Sequence, residues 1–275
     1  MDKINIKDIK LKTDRLTLRV FEEGDLEDLY AYAKEPGLGE SAGWFHHESI
    51  EDSRKVLDSF IKDSNIFALV YEGKVVGSIG LHPYDEKFFT NLAGKKAVEI
   101  GFIIGSAYQK KGLMKEALER VLEFLFKDIG LDYVVAGHFR GNFKSKKIQM
   151  KLGFKYYSSR LIKTHMGTSE VVHENILSKE DFDQYLLDKE KEKSRKDELA
   201  HKKQIINRYD LKEGEKFSYL LNFSNALIFV ISGLISYDTK LYIGSDLIQI
   251  DKKSKIDLKV LRDASFILVE NNFGD

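Results

Sequence analysis

Residues 97–126, AVEIGFIIGSAYQKKGLMKEALERVLEFLF, constrain the fold more than any other stretch. Residues 98–104 form an apolar run bounded by charge, long enough for a buried strand and too short for a helix. A glycine-containing loop, QKKGLMK, follows at 109–115. Met114, Ala117, Leu118, Val121, Leu122 and Leu125 then recur at the i, i+3, i+4, i+7 spacing of an amphipathic helix. The order is strand, loop, helix. The loop falls where the first helical N–H groups have no internal partner and where the helix dipole is positive. Such a terminus receives anions, and Lys110, Lys111 and Lys115 add charge around it. The expected ligand is a phosphate or pyrophosphate. The plainer alternative for the loop taken alone is a helix start with solvated lysines. Neither G-x-G-x-x-G nor G-x-x-x-x-G-K-[ST] occurs at this junction, which removes the dinucleotide fold and the nucleotide triphosphatase loop.

Lys+Arg and Asp+Glu both number 44, so no basic excess supports a general nucleic-acid binder. With no cysteine, a disulfide framework, a thiolate nucleophile and a zinc–thiolate site are excluded. None of the seven histidines makes a metal spacing, and no metal is expected. The N-terminus MDKINIKDIK is charged, and the longest apolar run, near 226–231, is too short to span a bilayer. The expectation is a soluble, cytoplasmic chain without nucleic-acid or membrane partners.

In chain order, RLTLRVF at 15–21 alternates as a strand. Asp25 is placed to cap a helix over 26–34 that ends near Pro36 and Gly37. Residues 38–48 read as an irregular loop holding the single Trp, Trp44, and the pair His46 and His47. Ser49 with Asp52 marks the start of a second helix, with Val56, Leu57, Phe60 and Ile61 on its apolar face. Strands over 66–72 and 74–81 join at Glu72–Gly73, a hairpin signal. After the helix beyond 113, Tyr133–Phe139 reads as a strand. Asn142 and Ser145 precede a short helix stopped at Gly153, and strands near 155–162 and 170–177 follow.

This order and three motifs resemble the GNAT family of N-acetyltransferases. The loop resembles that family's pyrophosphate signature Q-x-x-G-x-[GA]: Gln109 and Gly112 match, Met114 departs from the small residue, and Lys110 replaces a frequent glycine. TDRLTLR at 13–19 is similar to the opening of the ribosomal-protein N-acetyltransferase branch, the RimJ/RimL-like group. GNFKSKKIQMKLGF at 141–154 resembles that group's N-x-x-S…K-x-G-F segment through Asn142, Ser145, Lys151, Gly153 and Phe154. The resemblance covers about 1–187. It implies an α/β (α+β) acyl-CoA N-acyltransferase fold, a central mixed sheet flanked by helices. It implies acetyl-CoA as co-substrate and an amine acceptor, either a protein N-terminus or a small amine such as a polyamine or aminoglycoside.

Acetyl transfer to an amine requires a base or water relay, a donor for the oxyanion and a partner for the leaving thiolate. By resemblance, the strand at 98–104 splays from its neighbour and the backbone of Phe102, Ile103 and Ile104 pairs with the pantetheine arm. Gln109, Lys110, Lys111, Gly112, Leu113, Met114 and Lys115 cradle the pyrophosphate. Asn142 bonds the arm, and Ser145 serves the leaving sulfur. Asn142 and Ser145 also look like an ordinary helix cap. Tyr156 or Tyr157 is a rival acid, and their alternation makes one of them core. Glu99 is the candidate base, its alternative being an exposed strand-end carboxylate. His82 is the rival base or a surface histidine. Trp44, His46, His47 and His82 are expected around the acceptor pocket, with Trp44 alternatively a lid over the core edge.

Beyond 178 the composition changes. A charged helix over 179–203 is expected, with 188–204 as linker between a 1–187 catalytic domain and a 205–275 accessory domain. The apolar groups 217–223, 226–231, 241–243, 247–250, 256–260 and 266–269 are separated by turn residues, the pattern of a small β-sandwich or barrel. This segment vaguely resembles a cupin or pirin-like half-barrel without that family's metal ligands. About 70 residues is marginal for a lone β domain, so docking or homo-oligomerisation through it is expected. The leading reading is a direct-transfer N-acetyltransferase. Its rivals are a non-catalytic acyl-CoA sensor and an assembly protein.

Overall fold

The computed structural model describes residues 3–201, 204–222, 225–251 and 255–271. Phe223 of the 217–223 group and residues 202 and 203 of the expected linker helix lie outside the described residues. The chain divides into two compact units, Met1–Leu187 and Asp188–Asp275. No helix among the described residues is long and apolar enough to cross a membrane.

The first unit is built on an eight-stranded sheet. Its strands are β1 (Leu11–Lys12), β2 (Leu16–Val20), β3 (Ile66–Tyr71), β4 (Lys74–His82), β5 (Ala97–Ile104), β6 (Tyr133–Phe139), β7 (Lys155–Lys163) and β8 (Ser169–Ser178), in the order β1-β2-β3-β4-β5-β6-β8-β7. Only β5 and β6 run parallel. Between the strands lie α1 (Leu26–Ala33), α2 (Ile50–Asp63), α3 (Leu113–Glu123) and α4 (Phe143–Lys151); α5 (Lys179–His201) follows β8.

Local chemistry sets these boundaries. Glu72 and Gly73 both take positive φ, 50° and 80°, as a two-residue turn between β3 and β4 requires. Ser49 and Asp52 form a reciprocal capping box at the start of α2. Asp25 does not cap α1 as expected. Its carboxylate takes both terminal nitrogens of the Arg19 guanidinium, at 2.7 and 2.8 Å, and the Glu22 N–H, so a charged partner outcompetes the helix end.

Each face of the sheet has its own core. Leu113, Met114, Ala117, Leu118, Val121 and Leu122 of α3 pack on Leu18, Phe67, Ile79, Leu81, Val98 and Ile100. Each fully buried Leu, Ile, Val, Met or Phe side chain among them contributes about 1.5–3 kcal/mol. The opposite face carries α1 and α2, through Leu29, Tyr32, Ala33 and Leu57. Gly77 lets β4 and β5 approach closely: a Cβ there would sit 2.3 Å from the Ile103 carbonyl oxygen.

The second unit contains one six-stranded sheet of β9 (Gln204–Leu211), β10 (Lys216–Leu220), β11 (Asn225–Tyr237), β12 (Lys240–Ile243), β13 (Leu247–Ile250) and β14 (Lys255–Asn271). Two apolar groups read as separate strands, 256–260 and 266–269, belong to the single strand β14. The charged residues between them remain in the strand because Asp263 accepts bonds from the Lys212 ammonium and the Glu213 N–H. β11 likewise runs on through Gly233, where its register with β14 shifts. Ile228, Val230, Ile235, Ile256, Leu258, Val260, Phe266 and Leu268 form the core of this unit.

Candidate active site

The site begins where β5 and β6 part. They pair at Ala97–Tyr133, Val98–Val134 and Glu99–Val135, and no further. β5 stays bonded to β4 as far as Ile104–Gly77. Backbone groups alternate in direction along a strand. The Gly105 N–H donates to the Val76 carbonyl on the β4 side, while the Lys96 carbonyl accepts from Tyr133 on the β6 side. Phe102 and Ile104 therefore aim their backbone groups into the opened gap. Ile103 aims its own at Ser78 of β4, so of the three expected positions two face the gap through the backbone.

The loop before α3 has an anion-binding shape. Lys110 has φ of +61° and Gly112 of +82°. Glycine is unstrained there and lysine is not, which accounts for the residue type the signature favours at position 110. No side chain caps α3, and its first internal bond runs from Glu116 N–H to the Gly112 carbonyl, so the N–H groups of Leu113, Met114 and Lys115 point out unpaired by the helix. Arg15 holds the loop from outside. Its guanidinium donates to the Lys111 carbonyl at 3.0 Å and pairs with Glu116 of the first helical turn at 2.6 Å. The Thr13 hydroxyl donates to the same carboxylate. Burial opposes ionisation of Glu116, but Thr13 and Arg15 outweigh it and its pKa lies below the ordinary value.

The surrounding cleft encloses about 450 Å³, lined by the 109–115 loop, Phe102, Ile103 and Ile104, and α4. Lys110, Lys144, Lys147 and Lys151 stand on its rim. Lys111 lies over the Tyr108 ring. The Lys115 ammonium is bound to Glu119 and the Tyr185 hydroxyl, so its backbone N–H, not its charge, faces the loop. Gln109 donates to the Ile104 carbonyl and accepts from Lys144, spanning the cleft mouth. Asn142 caps α4 by accepting from Ser145 N–H and donates to the Ser41 carbonyl, tying down the 38–43 loop. Ser145 is not a cap. Its hydroxyl oxygen accepts from Gln149, which is buried and itself accepts from Asn175. With one lone pair occupied by Gln149, the serine proton remains available toward the cleft.

A second pocket of about 480 Å³ lies on the α1–α2 face and shares Phe102 and Ile103 with the cleft. Trp44 and His47 line it, with His82 and His165. His46 does not: its ring is bound to Glu40 at 2.7 Å, and the next residue takes the expected place. His82 lies over Gly80 and Gly101. Much of its area still meets solvent in the pocket mouth, yet desolvation there and the nearby Lys3 lower its pKa. Glu99 is opposite His82 in register. Burial, then the carboxylate of Glu174, push its pKa up to about 7 against the opposing pull of Arg160. Glu174 reaches this position because Gly137 has no side chain: a Cβ there would meet Glu174 Oε2 at 2.9 Å. Arg160 donates to Glu174 and pairs with Asp85. Tyr157 packs on Phe88 and Phe89, and Tyr156 is exposed and bound to Ser159; neither lines the cleft or the pocket.

The sequence from 15 to 155 matches the model of the acetyltransferase (GNAT) domain family. The chain belongs to the GNAT acetyltransferases. It is 26% identical over 159 residues to the uncharacterized N-acetyltransferase YoaA of Bacillus subtilis, covering 53% of this chain and 82% of that protein. It is 26% identical over 172 residues to the ribosomal protein uS5-alanine N-acetyltransferase of Escherichia coli, covering 55% of this chain and 80% of that protein. Among solved structures, a GNAT acetyltransferase from Bacillus anthracis matches with a TM-score of 0.55 and 22% identity over 62% of this chain and 99% of that one, which shows the fold.

Several residues of this candidate site carry little or no signal in the sequence. Arg15 was visible only as part of a motif, and its contact with the loop joins residues about a hundred positions apart. Gln149, Asn175, Glu174 and Arg160 carry no spacing signal at all, since cross-strand and helix–strand contacts assemble them. Tyr32 of α1, which lines the second pocket, carries no motif signal either.

The raised pKa of Glu99 has a definite sign in stability. The folded protein keeps a proton on this carboxyl that the unfolded chain releases near its ordinary 4.5, so the associated stability is full below that value and is lost as pH rises through about 7. Glu99→Gln is permanently neutral. It should unfold at a higher temperature than the unmodified protein at about pH 8.5, with the difference vanishing near pH 4. Calorimetry across this range checks it; a variant less stable at the higher pH would contradict the assignment.

Proposed function

We propose that the chain is an acetyl-CoA-dependent N-acetyltransferase that moves the acetyl group to a primary amine by direct attack in a ternary complex. The observation that carries this reading is the pair of backbone positions, Phe102 and Ile104, aimed into a gap where an anion-binding cleft and an apolar pocket meet. The loop residues fit a pyrophosphate: N–H groups of Leu113, Met114 and Lys115, a left-handed Gly112, and lysines on the rim. Acetyl-CoA supplies the thioester; the remaining roles belong to this chain. The Phe102 backbone receives the pantetheine arm as an added strand and offers its N–H to the developing oxyanion. Ser145 directs its proton to the leaving sulfur, held in place by Gln149. Glu99, near neutrality in its pKa, accepts the amine proton, with His82 between it and the pocket. The chain has no cysteine to form a thioester intermediate, which favours direct transfer.

Gly112→Asp tests the reading, since it puts a carboxylate and a strained backbone against the expected pyrophosphate. Acetyl-CoA affinity measured by calorimetry should fall about a hundredfold or more in a variant whose circular dichroism is unchanged. Unaltered affinity would mean that the loop is not the phosphate seat. Coenzyme release with primary amines separates an enzyme from an acyl-CoA sensor.

For Asp188–Asp275 a separate observation favours self-association. Phe229, Ile231, Leu241, Ile243 and Leu247 are all exposed on the outward side of β11, β12 and β13. Contiguous apolar surface of this kind marks an interface. The full chain should sediment as a dimer, at twice 31.7 kDa, and Phe229→Glu with Leu241→Glu should return it to the single-chain mass. A monomeric full chain would reject this role.

A further inference from the structure

The pocket on the α1–α2 face has a chemistry that selects among amines. Its walls are aliphatic and aromatic, with Leu29, Trp44, Phe45, Val56 and Phe60 prominent. Among the described residues, no Asp or Glu lines it. Its histidines do not supply negative charge, and His47 and His82 both have pKa values lowered chiefly by burial, which leaves them neutral at pH 7. Glu99, behind His82, serves the reacting amine; additional ammonium groups would meet walls that carry no carboxylate, and an unpaired buried charge is strongly disfavoured. An apolar body gains by leaving water on the same walls.

One polar feature stands out. The hydroxyl of Tyr32, 5% exposed and lining the pocket, makes no well-formed hydrogen bond: the Ser78 side chain approaches it without completing one. A buried hydroxyl whose bonding is incomplete carries part of its desolvation penalty, which a ligand group can relieve. A neutral oxygen close to the acceptor's amine would do so.

We infer that the acceptor is a primary amine on an uncharged apolar or aromatic body with a neutral hydrogen-bonding group near the amine, and that polyamines and aminoglycosides are excluded. This rests on the transferase reading above. The source of such an amine, a small molecule or the first residue of a peptide, is a matter for the test.

Coenzyme release is measured with phenylalaninamide, 2-phenylethylamine, a short peptide beginning with Phe, spermidine and kanamycin. Binding of each amine to the protein saturated with coenzyme A is measured in parallel. The apolar monoamines should exceed spermidine and kanamycin in kcat/KM by at least about tenfold. Comparison of phenylalaninamide with the peptide distinguishes the two sources. Tyr32→Phe should lower kcat/KM for phenylalaninamide by about five- to tenfold and leave 2-phenylethylamine, which has no oxygen, nearly unchanged. Phe45→Glu, at a position 64% exposed on the pocket wall, should narrow the gap between phenylalaninamide and spermidine without disturbing the core. Spermidine or kanamycin turned over as well as the apolar amines overturns the inference. Selective binding of apolar amines without coenzyme release would support this pocket chemistry and reject the transferase reading. Absence of both binding and release overturns the two together.

Discussion

The site depends on a sheet that opens on one side while staying closed on the other. β5 is bonded to β4 from Glu99 to Ile104 and to β6 only from Ala97 to Glu99. Two forces maintain this asymmetry. Gly77 allows β4 and β5 to sit closer than any side chain would permit, and Ile79 and Leu81 of β4 share a core with Val98 and Ile100 of β5. β6 is held on its far side by β8 through seven register pairs. The opened backbone is therefore not a fray but a gap between two firmly held strands; the Ile104 carbonyl there accepts from Gln109, and backbone groups left without a strand partner are a template for another extended chain.

The residues of the candidate site are arranged about that gap. The α3 terminus and its loop lie at one end, clamped by Arg15 and Thr13 through Glu116. α4 borders it with Ser145, whose hydroxyl is oriented by the buried chain of Asn175 and Gln149. On the opposite face, Glu99 and Glu174 share a dry region with a single guanidinium, that of Arg160, which also serves Asp85. Two carboxylates at close quarters cannot both ionise freely, and the more weakly paired one is raised toward neutrality. Glu99 is that one. The cost of keeping such a group in the sheet is a familiar mark of sites that move protons.

Much of this was legible in the chain, for reasons that differ by element. The 98–104 run and the α3 stripe announce themselves through period and length, and the Glu72–Gly73 turn and the Ser49 box through backbone chemistry that few residues satisfy. The loop signature was legible because a left-handed backbone at Gly112 needs glycine, and its weak point, Lys110, falls on a residue that adopts that conformation at some cost. Asp25 misled because a cap and an ion pair draw on the same carboxylate, and the sequence does not say that Arg19 is within reach. His46 and His47 differ by one position, and only the Glu40 contact decides which ring turns away from the pocket. In the second unit, β14 was broken in two because its central charges read as a turn, whereas Lys212 and the Glu213 backbone satisfy Asp263 within a continuous strand.

The claim that the gap beside β5 is the seat of acetyl-CoA is most directly tested by residue-resolved amide hydrogen exchange. The Gly105 N–H, bonded to Val76, is an internal reference on the same strand end. Saturation with acetyl-CoA should slow exchange at Phe102 and Ile104 by about tenfold or more, since a bound arm closes their opening reactions, and should alter Gly105 little. Bound ligand with unchanged exchange at Phe102 and protection confined to other strands would contradict it.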